Sequence, residues 1–306
     1  MIRLAIVGLG KIARDQHLPA IEKTEGIELV AIASRNATLE GVAHFTSLDE
    51  LLASDVAVDA VALCTPPQVR REQAALALSH GKHVLLEKPP GATVSELAPL
   101  VAAAQASGKT LFATWHSRFA PAVEPARAFL AEHAPRAVMV EWKEDVRVWH
   151  PGQDWIFEPG GLGVFDPGIN ALSILTRILP NPFFLTKASL GFPANRDAPI
   201  EAALDFADST GVPIRAELDF LQTGPQTWDI HVETGAGRLT LSLGGSRLFL
   251  DGKALIEAPE AEYPGIYKHF VDLVARGAGD VDLAPLQHVA DAFLLGRRIV
   301  VAPFEG

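Results

Sequence analysis

Along the first 118 residues, hydrophobic positions gather into short continuous runs separated by longer mixed stretches. RLAIVGL (3–9), ELVAIAS (28–34), AVALCT (60–65), HVLLEK (83–88) and TLFATW (110–115) are brief and aliphatic, as in strands covered on both faces of a parallel sheet. LPAIEKT, SLDELLAS, VRREQAALALSHG and TVSELAPLVAAAQASG lie between or before them and read as helices. The last two end at Gly81 and Gly108, the left-handed stop of a helix, and Thr93 with Glu96 forms a capping-box start. Strand–helix–strand alternation repeated this often predicts a doubly wound α/β domain over residues 1–118.

The pattern then changes. Residues 121–133 and the stretch from Asn170 to Leu179 read as helices. AVMVEWKEDV, FFLTKASLGF, IEAALDFA, PIRAELDFL, TWDIHVET, GRLTLSLG and SRLFLDG alternate with period two, divided by Gly-, Pro- and Asp-rich turns. An α+β domain with a large, open, mostly antiparallel sheet is expected over 119–306, closed by helices in YKHFVDLVARG and LQHVADAFLLGRRIV. A chain of 306 residues suits two domains, and 48% hydrophobic with 21% charged residues suits packed cores and excludes disorder.

Charge narrows the partners. With 26 Lys+Arg against 37 Asp+Glu the net charge is −11 and no long basic run occurs, so nucleic acid and anionic membrane are not expected as partners. A single cysteine, Cys64, lies in the apolar run VDAVALC; it reads as a buried structural thiol, and a multi-thiolate metal site is excluded. The opening MIRLAIVGLG is too short for a signal peptide and runs straight into a glycine motif. A cytoplasmic protein is expected.

Four places carry chemistry. Gly8-Leu9-Gly10-Lys11-Ile12-Ala13 follows a strand and opens a helix. Gly8 permits the tight turn, Gly10 lets backbone approach a pyrophosphate, and Ala13 allows close packing, so Lys11 and Ile12 begin a phosphate-facing helix. The second strand ends in Ser34-Arg35-Asn36. No acid stands there to bind the ribose 2′-hydroxyl of NAD; a hydroxyl and a guanidinium suit the 2′-phosphate of NADP, while a solvated loop arginine is the plain alternative. Glu87-Lys88-Pro89 closes another strand, where ligands of open α/β sheets gather, and Thr65-Pro66 occupies the same end of its neighbour. A desolvated Lys88 next to a cationic nicotinamide could accept a proton. The fourth place is Glu158-Pro159-Gly160-Gly161-Leu162-Gly163-Val164-Phe165-Asp166-Pro167-Gly168-Ile169-Asn170. Asp166 and Asn170 are four apart at a helix start and share a face; a helix-cap role for Asp166 is the plainer reading and does not exclude catalysis.

At these four places the chain resembles the glucose–fructose oxidoreductase/inositol dehydrogenase family, and the resemblance extends over essentially its whole length. It implies a Rossmann domain followed by the open-sheet domain, with Lys88 as catalytic lysine and Asp166 as the second-domain aspartate. Many members carry His four residues after that aspartate and His at position 70; Asn170 and Arg70 stand here. The departure shifts proton transfer towards Lys88. Within the family, GKIARDQHLPAI, LEKPPGAT, LFATWHSR and EPGGLGVFDPGINALSI are similar to the bacterial L-arabinose/D-galactose 1-dehydrogenases. That similarity implies oxidation at C1 of L-arabinose and D-galactose to the lactone; D-fucose, with the same C2–C4 hydroxyls, is expected alongside them, and Ser34 with Arg35 makes NADP the preferred cofactor, with NAD also accepted. The cofactor set is then Gly8, Gly10, Lys11, Ile12, Ser34, Arg35, Thr65, Pro66, Glu87 and Lys88.

His116, Glu144, Trp149, His150, Asp166, Asn170 and Trp228 are the candidate sugar-binding groups: acceptors and donors for hydroxyls, and indole faces for the ring's C–H side. Trp155 is a further indole of this kind. Each has a structural alternative, as core indole or locally bonded imidazole. No His or acid spacing suits a metal. Asp15, Gln16 and His17 follow the glycine motif closely, and spacing alone does not assign them. The resemblance also implies a homodimer or homotetramer. Two other readings share the fold: a non-enzymatic dinucleotide or sugar sensor, and a redox-neutral enzyme with tightly held NAD.

Overall fold

Residues 1–305 are described in the computed structural model and form two compact units, residues 1–116 with 263–282, and residues 117–262 with those from 283 on. The first unit holds six strands: β1 (Ile2–Val7), β2 (Ile27–Ala33), β3 (Ala43–Phe45), β4 (Ala60–Leu63), β5 (His83–Leu86) and β6 (Leu111–Ala113). Their order is β3-β2-β1-β4-β5-β6, all parallel. This is the Rossmann arrangement, in which the order reverses beside β1. The central strands are aliphatic because both faces are covered: Leu4, Ile6, Val61, Leu63, Val84 and Leu86 are all buried.

The pattern at 93–108 resolves differently from a full capping box. The helix starts at Leu97, and the Glu96 carboxylate accepts the Ala92 and Thr93 N–H groups without a reciprocal bond from the threonine side chain. Gly108 does close that helix in the left-handed conformation, φ 63°.

A helix from late in the sequence belongs to this unit. Glu262–Arg276 buries Tyr263, Ile266, Tyr267, Phe270 and Leu273. Phe270 stacks on Phe112 of β6 at 6.4 Å, and Tyr267 bonds to His17. The pattern change at 118 is therefore not a single division of the chain, because a helix's periodicity does not reveal which core receives its apolar stripe.

The second unit contains a nine-stranded sheet. Its strands are β7 (Pro135–Lys143), β8 (Phe183–Pro193), β9 (Glu201–Asp208), β10 (Pro213–Asp219), β11 (Thr227–Thr234), β12 (Gly237–Ser242), β13 (Arg247–Leu250), β14 (Lys253–Glu257) and β15 (Arg297–Val301). The order is β14-β13-β12-β11-β7-β10-β9-β8-β15. Pairing is antiparallel except for β7 with β10 and β8 with β15. The alternation read in the sequence appears as one buried and one more open face, as in β10, where Ile214, Ala216 and Leu218 are buried and Arg215 is exposed.

The closing segment corrects the sequence reading. Only Ala284–Leu295 is helical; Arg297–Val301, expected as its continuation, is the edge strand β15. Gly296 makes the break in extended conformation, with φ −67° and ψ 133°. Beyond it stand Ile299, Val300 and Val301, whose branched side chains favour a strand.

Candidate functional site

The turn after β1 is built for close approach. Gly8 has φ 91°, and a Cβ there would lie 2.9 Å from Thr65 Cγ2 and 3.0 Å from the Thr65 nitrogen. Only glycine fits. At Gly10 the finding is the opposite: a Cβ would meet no protein atom within 4 Å. The backbone there is thus accessible to a bulky group, as the pyrophosphate of a dinucleotide requires, and the chain beyond it is helical. Lys11 and Ile12 are exposed on the first turn, with Lys11 paired to Asp15.

At the tip of β2, the Ser34 hydroxyl accepts the Leu9 N–H at 3.4 Å, which ties that tip to the glycine turn and leaves its own O–H to donate. Arg35 is solvent-exposed. Thr65 and Pro66 follow β4, and the Thr65 hydroxyl donates to the Gln73 side chain. These residues fit a dinucleotide in kind: a bare glycine backbone for phosphates and, at the β2 tip, a donor and a cation in place of an acid.

Lys88, half-buried, follows β5 and precedes a cis bond to Pro89. Its N–H donates to the Glu87 carboxylate at 2.7 Å. Arg70, expected from sequence only as a departure from the family, is buried and donates to the carbonyls of Thr65, Glu87 and Pro89. The other Glu87 oxygen accepts His17 Nε2 at 3.0 Å and the Tyr263 hydroxyl at 2.9 Å. His17 Nδ1 meets the Tyr267 hydroxyl at 2.7 Å.

Burial opposes charge on both members of the His17–Glu87 pair, and the groups packed around each outweigh it. The Glu87 carboxyl is drawn down to about 2 by His17, with His116 and Lys88 assisting. The His17 imidazolium is held well above its ordinary 6.5: burial lowers it, and Cys64, Tyr267 and Glu87 outweigh that. Burial pushes the Tyr267 phenol up to about 12, so at neutral pH it faces His17 as a neutral hydroxyl, while the Glu87 carboxylate contacts Nε2 directly. Cys64, just past β4, is half-buried, a correction to the expected buried residue, and its Sγ lies 3.6 Å from His17 Nε2. His116 stacks on Tyr263 with ring centroids 5.5 Å apart.

The second unit brings together a different set. Helix Phe165–Ile178 packs closely on the sheet: a Cβ on Gly168 would fall 2.5 Å from Leu218 of β10, and one on Gly163 would fall 2.2 Å from the Pro199 carbonyl. These glycines fix Asp166, which lies inside the first turn and is not the cap. Asp166 is 4% exposed and Glu144, just past β7, is 3% exposed. His150 Nε2 lies 3.4 Å from Glu144 Oε1 and 3.7 Å from Asp166 Oδ2. Trp228 donates its indole N–H to Glu144 Oε2 at 2.9 Å and sits 4.9 Å from the exposed Trp149 ring. Asn170 follows one helical turn after Asp166 and is half-buried, as is Trp155.

Of the predicted groups, Glu144, Trp149, His150, Asp166 and Trp228 thus form one cluster, whereas His116 and Lys88 lie in the first unit. Sequence reasoning left His17 unassigned and missed Arg70, Tyr263 and Tyr267. The available signal was the spacing of Tyr263 and Tyr267, four apart on one helix face. Among the described residues no group of His, Cys, Asp and Glu could hold a metal ion, and no helix is long and apolar enough to cross a membrane.

The profile of the GFO/IDH/MocA oxidoreductase family, with an NAD-binding Rossmann fold, matches residues 2–114. Galactose 1-dehydrogenase from Pseudomonas fluorescens is 46% identical over 303 residues, 99% of this chain and 98% of that protein. The crystal structure of D-galactose-1-dehydrogenase from Rhizobium etli superposes with a TM-score of 0.95 at 58% identity, over 99% of this chain and 98% of the other. A 3-ketoreductase from Actinomadura kijaniata, solved with NADP and TDP-benzene, shares the fold at TM-score 0.84 and 21% identity, over 98% and 99% of the two chains.

Proposed function

As the chain belongs to the GFO/IDH/MocA family of NAD-binding oxidoreductases, we propose that it oxidises an aldopyranose at C1 to the lactone, preferring NADP and accepting NAD. The observation that carries this reading is the cluster of buried Glu144 and Asp166 with half-buried His150, beside Trp228 and Trp149. Two carboxylates and an imidazole beside indole faces form a set suited to polyhydroxylated rings. Full-length similarity to two galactose dehydrogenases supports it.

The nicotinamide cofactor supplies a hydride acceptor. Gly8, Gly10, Lys11 and Ile12 would hold its phosphates, with Thr65, Pro66 and Glu87 at neighbouring strand ends, and Ser34 with Arg35 would receive a 2′-phosphate. Lys88, in its unprotonated form, takes the proton from the C1 hydroxyl as hydride leaves C1, and the C1–O bond becomes a carbonyl. Asp166 and Asn170 orient hydroxyls, with His116, Glu144, His150 and the two indoles completing recognition. The protein itself contributes position and electrostatics. A homo-oligomer and a cytoplasmic location complete the proposal.

The test is a panel of aldoses with NADP and NAD, followed at 340 nm. D-galactose, L-arabinose and D-fucose share the C2, C3 and C4 configuration and should all be turned over. D-glucose and D-xylose, inverted at C4, should react at least about tenfold less efficiently, because an inverted hydroxyl strands a buried polar partner. Steady NAD(P)H formation distinguishes this reading from a sensor or a redox-neutral enzyme. Equal kcat/KM on D-glucose and D-galactose would refute the sugar assignment.

A further inference from the structure

The most elaborate buried polar cluster in the first unit surrounds a residue with no assigned role. His17 is fully buried, and its two ring nitrogens meet Glu87 and Tyr267. It is placed by a π-helical turn, Ala13–His17, in the helical run opened by the glycine motif. Such turns are uncommon and frequently accompany functional sites. The Glu87 carboxylate is fully engaged: one oxygen takes the Lys88 N–H, the other takes His17 and Tyr263.

We propose that His17 is a positioning residue for the reaction of Lys88: paired with Glu87, it holds the Lys88 backbone and neutralises the carboxylate beside it. The inference rests on the assignment of Lys88 as proton acceptor. Its geometry is a chain of three contacts, Tyr267 to His17 to Glu87 to the Lys88 N–H, with the Arg70 guanidinium on the carbonyls flanking Lys88. The electrostatic argument follows. An uncompensated carboxylate beside Lys88 would favour its ammonium form and remove the base. With His17 as imidazolium the pair is neutral, and that penalty disappears. The other ionisable groups facing the pair are Cys64, Arg70, Lys88, His116, Tyr263 and Tyr267. Arg70 is cationic and directed to carbonyls, and Tyr267 stays neutral below about 12. His17 therefore offsets Glu87 through a direct contact.

The experiment compares His17→Asn, Glu87→Gln, the double variant and Tyr267→Phe with the unaltered protein. For each, NADP affinity, sugar KM, kcat and the pH profile of kcat/KM for D-galactose oxidation are measured. His17→Asn should lower kcat about tenfold or more at neutral pH while NADP affinity and KM move less than about threefold. The ascending limb of the profile should shift to higher pH by roughly half a unit or more. The double variant, which removes the carboxylate's charge as well, should return that limb towards its original position. Tyr267→Phe deletes one hydroxyl from the same chain and should shift the limb in the same direction by less, so it carries the test if His17→Asn does not fold. An unmoved limb in the folded variant, or losses confined to cofactor binding, overturns the proposal. Lys88→Met is the control: if it keeps normal kcat, the assignment of Lys88 has failed; if it is inactive while the limb is unmoved in His17→Asn, only the role of His17 has failed.

Discussion

Individual side chains separate the two halves of the proposed chemistry. Lys88 is fixed through its backbone on three counts: the Glu87 carboxylate on its N–H and Arg70 on the carbonyls of Glu87 and Pro89. A side chain presented so firmly should matter for rate more than for binding. Lys88→Met is expected to lower kcat by about 10²-fold or more with little change in NADP affinity, measured by steady-state kinetics and cofactor-fluorescence titration. A near-normal kcat would transfer the proton-accepting role elsewhere. Arg35 poses a different question. It is exposed at the tip of β2, beside a serine whose hydroxyl accepts the Leu9 N–H. Arg35→Ala should weaken NADP by roughly 1.5–3 kcal/mol, towards the lower end because water screens the guanidinium, and leave NAD almost unaffected. Equal losses for both cofactors would make Arg35 a structural residue and leave the cofactor preference without a cause.

Elements show where sequence reasoning reaches its limit. The five predicted strands of the first sheet were legible because each is a continuous aliphatic run; β3, three residues long, was not, since Ala43–Phe45 contains only one large apolar side chain. In the second unit, period two exposed the strands from β7 to β13, but the parallel pairs β7–β10 and β8–β15 were hidden. Alternation reports which face is buried, whereas pairing depends on partners far apart in the chain. The site was legible where one segment carries it, as with Gly8–Ala13, Glu87–Lys88 and Asp166–Asn170. It was not legible where distant segments meet, as with His17, Glu87 and Tyr263, because nothing local marks a contact spanning 176 residues. One turn illustrates a local signal with a measurable cost. Asp208 ends β9, and one of its oxygens accepts the Thr210 N–H, the Thr210 hydroxyl and the Val212 N–H, while the other accepts the Asn181 amide. Burial pushes its carboxyl up, and those bonds outweigh it and hold it down at about 2. Asp208→Ala leaves the β9–β10 turn without its hydrogen-bond hub and should destabilise the protein by about 1–3 kcal/mol, read from denaturant midpoints at neutral pH. An unchanged midpoint would show that water replaces the carboxylate at no cost.

At the scale of the whole molecule, buried and half-buried titratable groups set a pH range for stability, each with a definite sign. Glu87 and Asp208 are both drawn down to about 2 from ordinary values of 4.5 and 3.8. Each contributes stability that is full above its ordinary value and lost as pH falls towards 2. His83 and His231 are lowered below 6.5, chiefly by burial, so the folded protein resists their protonation and stability already declines as pH drops below that value. His17 acts in the opposite sense. It is raised well above 6.5, so its contribution is complete below that pH and is lost as pH climbs through its folded value. Stability should therefore peak near pH 6.5, fall gradually in mild acid and steeply below pH 4.5, and also fall on the alkaline side. Thermal midpoints taken from pH 3 to pH 9 test this. The decline from pH 6.5 to 9 should reach roughly 1–2 °C if His17 contributes on the order of 1 kcal/mol in a chain of 306 residues. His17→Asn isolates the cause: it removes the only one of these shifted histidines whose sign makes alkali unfavourable, so the alkaline decline should flatten while the acid limb persists. A midpoint that climbs steadily to pH 9 in the unaltered protein would mean that the His17–Glu87 pair is not ionised in the folded state.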